Sequence, residues 1–342
     1  MTCSSLVLPH LILTMPMSFA FLTTPLQIGS LQLSNRLIQG PLAGVSAAPF
    51  RKLFYQFCPP AYTVTEMISA HDVLHKHHLN SRYLYRAKEE TCLSYQLSGI
   101  DPNIMALAAL KLEQSGADLI DINCGCPKAK IRKKGAGSAL MDTPERLCAI
   151  VSRVREHIRI PLTVKLRIYG TTKDISLAKM LEQAGADALI IHGRKWTDDY
   201  DKPCDFQHIN LIKQHVRIPV IANGDIRDMT SLTIAIQESQ ADAYMISRAG
   251  CGHPWLYQLL LQQHPMDIDR SIQLDCFLQH IDDLSQLESD YQALMQSKTL
   301  VRYYFRHILD SEQLKVFYTL MSLEDMTQYL RSAVSNSNVV AI

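Results

Sequence analysis

The chain has 342 residues, of which 47% are hydrophobic and 20% are charged, and its formal net charge is +1. This composition is typical of a folded globular protein and excludes a disordered polycation, so a nucleic-acid role has to depend on local basic patches. Nine scattered cysteines without a Cys-x-x-Cys pair fit reduced thiols better than a disulfide framework. We therefore expect a cytoplasmic protein.

The first 24 residues predict a disordered extension rather than a signal peptide or a membrane anchor. Residues 6–22 are rather apolar, but the first basic residue is Arg36, and Pro9 and Pro16 interrupt the run. A secretory signal begins with a positively charged segment, and a membrane-spanning helix needs about 20 apolar residues. We expect no membrane association.

Two short phrases alternate along the middle of the chain, and each precedes an apolar run. Ala-Asp occurs at 117–118, 186–187 and 241–242, whereas Arg-Ile-Pro occurs at 159–161 and 217–219. A short apolar run that ends in polar or glycine residues is typical of a strand buried in a parallel sheet. The phrases therefore predict five such strands, and segments of helical length separate them.

The segments between the strands complete the pattern of secondary structure. Three further strands are predicted at 36–40, 61–65 and 91–97, and helices are predicted over Pro102–Gln114, Pro144–His157, Ile175–Gln183, Phe206–His215 and Met229–Glu238. Eight β/α units predict an α/β fold of the TIM (β/α)8 barrel type over residues 25–265. A doubly wound open sheet is the alternative, but the first βα turn lacks the Gly-x-Gly-x-x-Gly fingerprint.

The alternation of strands and helices stops near Pro265. Residues 266–342 have helical spacing without strand signals, which predicts a small all-helical C-terminal domain with a frayed tail. Within it Arg302 and Arg306 are spaced i, i+4, and His307 follows, so a helix would place them on one face.

The residues at the ends of the eight predicted strands are mostly polar. They are Pro41, Glu66, Gln96, Asn123 with Cys126, Lys165 with Arg167, His192 with Arg194, Asn223 with Asp225, and Ser247 with Arg248. Because a TIM barrel gathers its functional groups at the C-terminal ends of its strands, these residues outline one site. The glycine-containing ends at 223–225 and 247–250 favour phosphate binding, with Arg248 as a partner. Lys165 could stabilise negative charge or form a Schiff base.

The fourth predicted strand leads into a thiol beside a positive patch. Cys124 and Cys126 follow the strand, and five of the seven residues after Pro127 are basic, namely Lys128, Lys130, Arg132, Lys133 and Lys134. This arrangement indicates chemistry on a large anion, although a solvated charged face is the alternative. No second cysteine pair has the spacing of a metal site, so we expect no metal.

Eight motifs together resemble the tRNA-dihydrouridine synthase family, most closely its bacterial B-type branch. They are NRLIQGPLAGVSAAPFR (35–51), VTEMIS (64–69), YQLSG (95–99), DINCGCPKAKIRKKGAGSALM (121–141), VKLR (164–167), IHGR (191–194), IPVIANGDI (218–226) and ISRAG (246–250). The resemblance extends from about Leu26 to Leu260 and more loosely through the helical tail.

The resemblance implies an FMN enzyme that reduces the 5,6 double bond of a D-loop uridine in tRNA, with NADPH or NADH as reductant. The uracil would receive hydride at C6 from reduced FMN and a proton at C5 from the cysteine of the Gly-Cys-Pro motif, here Cys126. A thiol with an ordinary pKa of ~8.5 is mostly protonated at neutral pH and can act as a general acid. The family motif does not require Cys124.

The resemblance also assigns binding residues. The implied FMN contacts are Pro41, Leu42, Ala43, Gln96, Lys165, His192, Asn223, Gly224, Asp225, Ser247 and Arg248. For tRNA, the resemblance implies that Asn123 contacts the base. It implies contacts with the rest of the tRNA for Lys128, Lys130, Arg132, Lys133, Lys134, Arg167, Arg302 and Arg306. We expect a monomer whose macromolecular partner is tRNA.

Two departures from the family pattern concern substrate details. Ser247 stands where the family usually has glycine, and its Cβ needs room near a phosphate. The loop after Arg194 is unusually acidic, and Asp198, Asp199 and Asp201 would repel tRNA phosphates, so we expect it to face away from the tRNA or to use another surface.

Two other functions compete with this interpretation. A dihydroorotate dehydrogenase-like FMN reductase of a small pyrimidine would leave the basic run and the helical tail without a purpose. A non-catalytic tRNA-binding protein would have no need for Cys126 and Lys165.

Overall fold

The computed structural model describes residues 19–262 and 268–336. The strands are β1 (Leu26–Ile28), β2 (Leu31–Leu33), β3 (Leu37–Gln39), β4 (Thr63–Val64), β5 (Ile68–Ser69), β6 (Leu93–Ser98), β7 (Leu119–Cys124), β8 (Leu162–Arg167), β9 (Ala188–His192), β10 (Val220–Asn223) and β11 (Ala243–Ile246). Short 3-10 turns lie at Phe19–Thr23, Leu53–Gln56, Gly137–Asp142 and Arg248–Gly250.

Helices lie between the strands and after the last of them. They are α1 (Ala48–Lys52), α2 (Ala70–His75), α3 (Pro102–Gln114), α4 (Ala129–Arg132), α5 (Pro144–His157), α6 (Lys173–Gln183), α7 (Phe206–Lys213), α8 (Met229–Ser239), α9 (Leu256–Gln262), α10 (Arg270–Leu287), α11 (Asp290–Phe305), α12 (Ser311–Thr319) and α13 (Leu323–Asn336). None of the helices in the described ranges has the length and apolarity that a bilayer span requires.

Eight parallel strands close into a barrel. β3, β4 and β6 to β11 pair in sequence order, and the ring closes where Tyr244 of β11 lies opposite Leu37 of β3. β5 continues the line of β4 and pairs with the end of β6. The predicted TIM barrel is therefore confirmed, and so is the C-terminal helical region.

The barrel strands form because both of their faces are buried. All six residues of β6 and all six of β7 are buried, as in parallel sheets covered by helices. Inside the barrel, apolar residues such as Ile190 and Ile221 pack together, and Leu26, Ile28 and Leu33 of the antiparallel β1–β2 hairpin join them. The hairpin therefore packs against the barrel interior.

Local capping explains where the helices begin. Asp101 accepts a hydrogen bond from the N–H of Ile104, and Pro102 occupies the first turn of α3, a combination that fixes a helix start. Asp228 and Ser231 form a reciprocal capping box at the start of α8. The predicted bounds of α3 and α5 are confirmed to the residue, whereas α6, α7 and α8 differ by one or two residues at one end.

At the end of the predicted N-terminal extension, the described residues 19–24 pack against the barrel, and the disorder predicted for residues 1–18 stays a prediction. Phe19–Thr23 forms a 3-10 turn, and the side chain of Leu22 is fully buried. The ring of Phe21 meets that of Tyr244 edge-on at 6.2 Å. Burial of these apolar groups against β11 orders the segment, while residues 1–18 lie outside the described residues.

The helical region is attached to the barrel by ion pairs. Lys52 of α1 pairs with Asp283 of α10 at 2.6 Å, and Arg82 pairs with both Glu66 and Glu288 at 2.7 and 2.5 Å. The expected domain boundary after residue 265 falls in 263–267, outside the described residues, and the frayed tail falls partly in 337–342, also outside them. Both boundaries stay predictions.

Candidate active site at the mouth of the barrel

The register of the strands places the polar strand ends side by side. Asn123 of β7 lies opposite Lys165 of β8, and His192 of β9 lies opposite both Arg167 of β8 and Asn223 of β10. These five residues therefore share one mouth of the barrel. The prediction that the strand ends form a single site is supported by this register.

Lys165 is oriented by a neutral amide. Its Nζ donates to Oδ1 of Asn223 over 2.8 Å, and the Nδ2 of Asn223 donates to the carbonyl of Met245 over 2.8 Å. Burial lowers the pKa of Lys165 to about 8, although the charge of Asp121 opposes the shift. The side chain therefore carries its proton at neutral pH and presents a positive charge to the mouth.

His192 is held as a neutral imidazole. Burial, and then the neighbouring cations of which Lys165 is the first, keeps the pKa of His192 well below its ordinary value. The Nη1 of Arg194 lies 3.2 Å from Nε2 of His192. Since a guanidinium can only donate, this contact fixes Nε2 as the acceptor and leaves the proton on Nδ1.

The side chain of Asp225 holds Arg194, and its contact with the cofactor stays a prediction. Its carboxylate accepts two hydrogen bonds from Nη2 of Arg194, at 2.6 and 2.7 Å, and a third from the N–H of Cys204 at 2.8 Å. Its side chain is thereby committed to holding Arg194. Gly224 precedes it with φ +130°, and a Cβ there would lie 2.7 Å from Sγ of Cys204, so glycine is required by packing.

The loop that carries Cys126 is held from several sides. The N–H of Cys126 donates to Oδ1 of Asn123 over 3.1 Å, and its carbonyl accepts from the N–H of Ser138 over 3.0 Å. Gly137 has φ +62°, and a Cβ there would lie 2.7 Å from the carbonyl oxygen of Cys126. Cys126 is partly exposed, whereas Cys124 is fully buried in β7. Of the two thiols only Cys126 is accessible.

Arg167 holds the loop of the thiol in place. It is only 3% exposed, and its contact with tRNA stays a prediction. Its Nε donates to the carbonyl of Gly125 over 3.1 Å, and its Nη1 donates to the carbonyl of Lys195 over 2.7 Å. Arg167 therefore holds the residue next to Cys126 and ties the loops after β7 and β9 together.

Within the basic run Arg132 makes several local contacts, and its contact with tRNA stays a prediction. Its guanidinium donates to Ser138 at 2.9 Å, pairs with Asp142 at 2.8 Å and lies over the ring of Trp196 at 3.7 Å. These contacts commit it to the local structure. The four lysines of the run are exposed, namely Lys128, Lys130, Lys133 and Lys134.

The acidic loop after Arg194 lies against the loops of the site. Tyr200 packs under Arg248, whose guanidinium carbon is 4.0 Å from the ring centroid. Asp198 accepts a hydrogen bond from the N–H of Lys195 and pairs with Lys202 at 3.1 Å, which neutralises part of its charge. Its aromatic residues Trp196 and Tyr200 pack on Arg132 and Arg248 of two neighbouring loops. The expectation that the loop faces away from the tRNA or uses another surface stays a prediction.

The side chain of Ser247 fits against Gly40, and its fit beside a phosphate stays a prediction. A Cβ built on Gly40 would lie 2.5 Å from Oγ of Ser247, so the missing side chain of Gly40 makes space for the serine. Of the other predicted cofactor contacts, Leu42 donates its N–H to Ser46 over 2.9 Å, and Pro41, Leu42 and Ala43 lie in the loop after β3.

The C-terminal arginines are only partly arranged as predicted. α11 ends at Phe305, so Arg302 lies on the helix while Arg306 and His307 lie in the following turn. Both arginines are exposed, and Arg302 lies over the ring of Tyr318 at 5.4 Å. As the residue that caps α11, Arg306 keeps helical backbone angles and lies on the same face as Arg302, four residues earlier, whereas His307 lies beyond the helix.

The sequence reasoning missed a buried carboxylate at the centre of the site. Asp121 of β7 is fully buried and accepts hydrogen bonds from Thr163 and Gln96, both at 2.7 Å. Burial raises its pKa to about 6, although these two hydrogen bonds oppose the shift. A charged residue inside an apolar strand was the signal that could have found it, since carboxylates are rarely buried without a reason.

A closed parallel barrel with a lysine, a histidine, amides and an accessible thiol at one mouth defines a TIM-barrel enzyme. Among the described residues no group of His, Cys, Asp and Glu side chains could hold a metal ion. The family model for dihydrouridine synthase matches residues 38–337. The chain therefore belongs to the dihydrouridine synthase family.

Individual relatives agree with this assignment. The chain is 33% identical over 292 residues to tRNA-dihydrouridine synthase B of Pasteurella multocida, covering 83% of this chain and 87% of that protein. It is 33% identical to tRNA-dihydrouridine synthase B of Vibrio vulnificus, covering 91% and 100%. A solved structure of 2-naphthoyl-CoA reductase has a TM-score of 0.56 at 15% identity, covering 73% of this chain and 53% of that one, which supports the barrel fold alone.

Proposed function

We propose that this enzyme is an FMN-dependent tRNA-dihydrouridine synthase that reduces the 5,6 double bond of a D-loop uridine, with Cys126 as general acid. The observation that carries the proposal is the position of Cys126. Its loop is bonded to Asn123, its neighbour Gly125 is bonded to Arg167, and four exposed lysines follow within eight residues. A proton donor is thus fixed beside a surface suited to RNA phosphates.

The cationic groups of the mouth fit an anionic flavin. Lys165 is bonded to a neutral amide, and Arg248, which is exposed, has no carboxylate partner among the described residues. Lys165 would face the flavin ring, and Arg248 would bind the phosphate beside the glycine-containing ends of β10 and β11. When bound, FMN supplies the hydride for C6 of the uracil, and reduced flavin carries negative charge near N1 that a lysine stabilises.

Residues of this enzyme then protonate the base and hold the proton donor in place. The thiol of Cys126 gives its proton to C5, a step for which a positioned acid contributes roughly 10²–10⁴-fold. Arg167 and Asn123 keep the loop of Cys126 in place. The base has to leave its stack to reach the mouth, which costs on the order of a few kcal/mol and costs least in a loop.

The remaining surface supports an RNA substrate over a small one. The four exposed lysines of the run and the exposed Arg302 and Arg306 offer positive charge beyond the mouth. A small pyrimidine such as dihydroorotate would not need these groups, so the dihydroorotate dehydrogenase-like alternative is disfavoured. We further propose NADPH or NADH as the reductant and a monomeric cytoplasmic enzyme.

Mapping of dihydrouridine tests the proposal. tRNA from a strain that lacks the gene is compared, position by position, with tRNA from the same strain carrying the wild-type gene. The proposal predicts that at least one D-loop uridine is reduced only in the complemented strain, and that the purified protein binds FMN. If every dihydrouridine persists in the deletion strain, or if the protein fails to bind FMN, the proposal is wrong.

A further inference from the structure

We infer that Asp121 is a positioning residue for the loop of Cys126 and acts through the side chains of Gln96 and Asn123. The inference concerns the geometry of the loop, and it rests on the proposed function only for its activity readout. It assigns a role to a buried carboxylate that touches neither the substrate nor Cys126.

Four side chains form one continuous chain of hydrogen bonds across three strands. Oγ1 of Thr163 donates to Oδ1 of Asp121, and Nε2 of Gln96 donates to Oδ2, each over 2.7 Å. Nδ2 of Asn123 donates to Oε1 of Gln96 over 2.7 Å. Oδ1 of Asn123 accepts from the N–H of Cys126 over 3.1 Å. This series of hydrogen bonds therefore leads from the carboxylate of Asp121, to which Thr163 also donates, to the backbone of Cys126.

The two ends of this chain determine how both amides are oriented. An ionised carboxylate can only accept, so the NH2 group of Gln96 has to face Asp121 and its oxygen has to face Asn123. Asn123 then donates to Gln96 and turns its own oxygen toward Cys126, where a backbone N–H can only donate. If both amides were reversed, NH2 of Asn123 would face the N–H of Cys126 and that hydrogen bond would be lost.

Burial makes the reversed orientation of these amides costly. Asp121 is fully buried, Gln96 is 1% exposed and Asn123 is 8% exposed. In such surroundings a mismatched donor has no water to replace its partner, and an unsatisfied buried group is costly. The identity of residue 121 therefore controls whether Asn123 holds the loop of Cys126.

Three variants separate positioning from mere stability. Asp121→Asn keeps the shape but offers one oxygen and one NH2 group. Thr163 is fully buried, and among the described residues its hydroxyl bonds to no acceptor other than residue 121. The hydroxyl therefore donates to the remaining oxygen, and the polarity toward Gln96 reverses. The double variant Asp121→Asn with Gln96→Glu exchanges carboxylate and amide, so the glutamate again accepts from Asn123 and the net charge is kept. Thr163→Val removes the far hydrogen bond but leaves the carboxylate, and it is the matched control.

Two readouts are measured on the full-length protein loaded with FMN. The first is the alkylation rate of Cys126 by iodoacetamide, located by mass spectrometry, with the buried Cys124 as an internal reference. The second is the single-turnover rate at which pre-reduced enzyme converts uridine in unmodified tRNA. Flavin content and tRNA affinity are determined for each variant so that binding and the chemical step are distinguished.

The inference predicts opposite changes in the two rates for Asp121→Asn. Release of the loop should make Cys126 alkylate roughly ten-fold faster and should slow the single turnover by roughly ten-fold, the value of about one hydrogen bond. Thr163→Val should change neither rate by more than about two-fold, although it lowers stability. The double variant should return the alkylation rate to within about three-fold of the wild type.

Each of the other outcomes overturns the inference. It is wrong if Asp121→Asn behaves like Thr163→Val, or if the double variant alkylates as fast as Asp121→Asn. If Asp121→Asn is insoluble, the double variant alone decides. Its hydrogen bonds are matched, so it should fold, and an insoluble double variant would contradict the argument. A wild-type enzyme that fails to convert tRNA would contradict the proposed function, whereas the alkylation rates would still decide the role of Asp121.

Discussion

The N–H of Cys126 donates to Oδ1 of Asn123 over 3.1 Å, which ties the loop of the accessible thiol to the end of β7. Arg167 holds the same loop through the carbonyl of Gly125, two residues from Asn123. The proposed acid is therefore fixed by contacts to its backbone from two strands. The predictions below follow from this arrangement and from the charges around it.

Arg167→Lys should slow the chemical step. A lysine cannot reach the carbonyls of Gly125 and Lys195 together, so one of the loops after β7 and β9 is released. We expect a loss of about 1–3 kcal/mol in the free energy of unfolding and roughly ten-fold in single-turnover rate. Denaturant titration and stopped-flow reduction of tRNA measure the two effects. Arg153→Lys, on an exposed surface, is the control, and an Arg167→Lys enzyme with wild-type turnover would argue against this role.

Charge reversal of the exposed lysines should weaken tRNA binding. Changing Lys128, Lys130, Lys133 and Lys134 to Glu should lower the affinity and reduce the slope of log K against log salt by about one for each phosphate that the lysines neutralise in the wild type. Fluorescence anisotropy at several salt concentrations measures the slope. Lys179→Glu, on the exposed side of α6, should leave it unchanged. An equal effect of Lys179→Glu would mean that only net charge matters.

The ion pair between Arg51 and Glu90 should be sensitive to removal of one partner. Both side chains are fully buried and their charged atoms are 2.5 Å apart. Glu90→Gln leaves the guanidinium without a counter-charge and should destabilise the protein by about 3–5 kcal/mol. Replacing both residues, Arg51→Gln with Glu90→Gln, removes both charges and keeps hydrogen-bonding groups toward Ser46 and Ala87, so it should cost less than Glu90→Gln alone. Thermal unfolding compares the variants, and equal losses would contradict the argument from an unpaired charge.

Activity and stability should respond oppositely to acid through Asp121. Burial raises its pKa to about 6, so the folded state binds this proton more tightly than the unfolded state does. Its contribution to stability is therefore complete below the unfolded pKa of ~3.9 and is lost as the pH rises through about 6. Protonation also lets the carboxyl group donate to Gln96 and reverse the amides, so the single-turnover rate should fall below about pH 6.

The groups that face Asp121 do not titrate in this window. Lys165 has a pKa of about 8 and stays charged, while burial raises the pKa values of Tyr62 and Cys124 and keeps both neutral. Rates measured between about pH 5 and pH 7, where Lys165 keeps its proton, in the wild type and in Asp121→Asn test the assignment. A fall below about pH 6 that persists unchanged in Asp121→Asn would assign it to another group.

The fold could be predicted from the sequence because its signals are local. Asp101 followed by Pro102 sets the start of α3, and the repeated Ala-Asp and Arg-Ile-Pro phrases precede strands that are buried on both faces. The order of polar strand ends then places the site, since parallel strands bring their C-terminal ends to one mouth. This reasoning locates Cys126, Lys165 and His192.

The contacts of the charged residues could not be predicted, because they depend on which loops meet. Arg132 and Arg167 carry the positive charge that a tRNA surface requires. In the structure Arg132 lies over the ring of Trp196, and the buried Arg167 donates to the carbonyl of Gly125. Asp225 is committed to Arg194 across two loops. The spacing of residues along the sequence does not indicate such pairings. The order of the amide side chains between Asp121 and Cys126 is likewise visible only in three dimensions.

The proton donor is the central claim, and one comparison tests it most directly. Dihydrouridine formed in a single turnover on unmodified tRNA is measured for the wild type, Cys126→Ala and Cys124→Ala, each loaded with FMN. We expect Cys126→Ala to lose roughly 10²–10⁴-fold in rate while it keeps flavin and tRNA binding, and Cys124→Ala to stay near the wild-type rate. If Cys126→Ala reduces tRNA at the wild-type rate, Cys126 is not the acid.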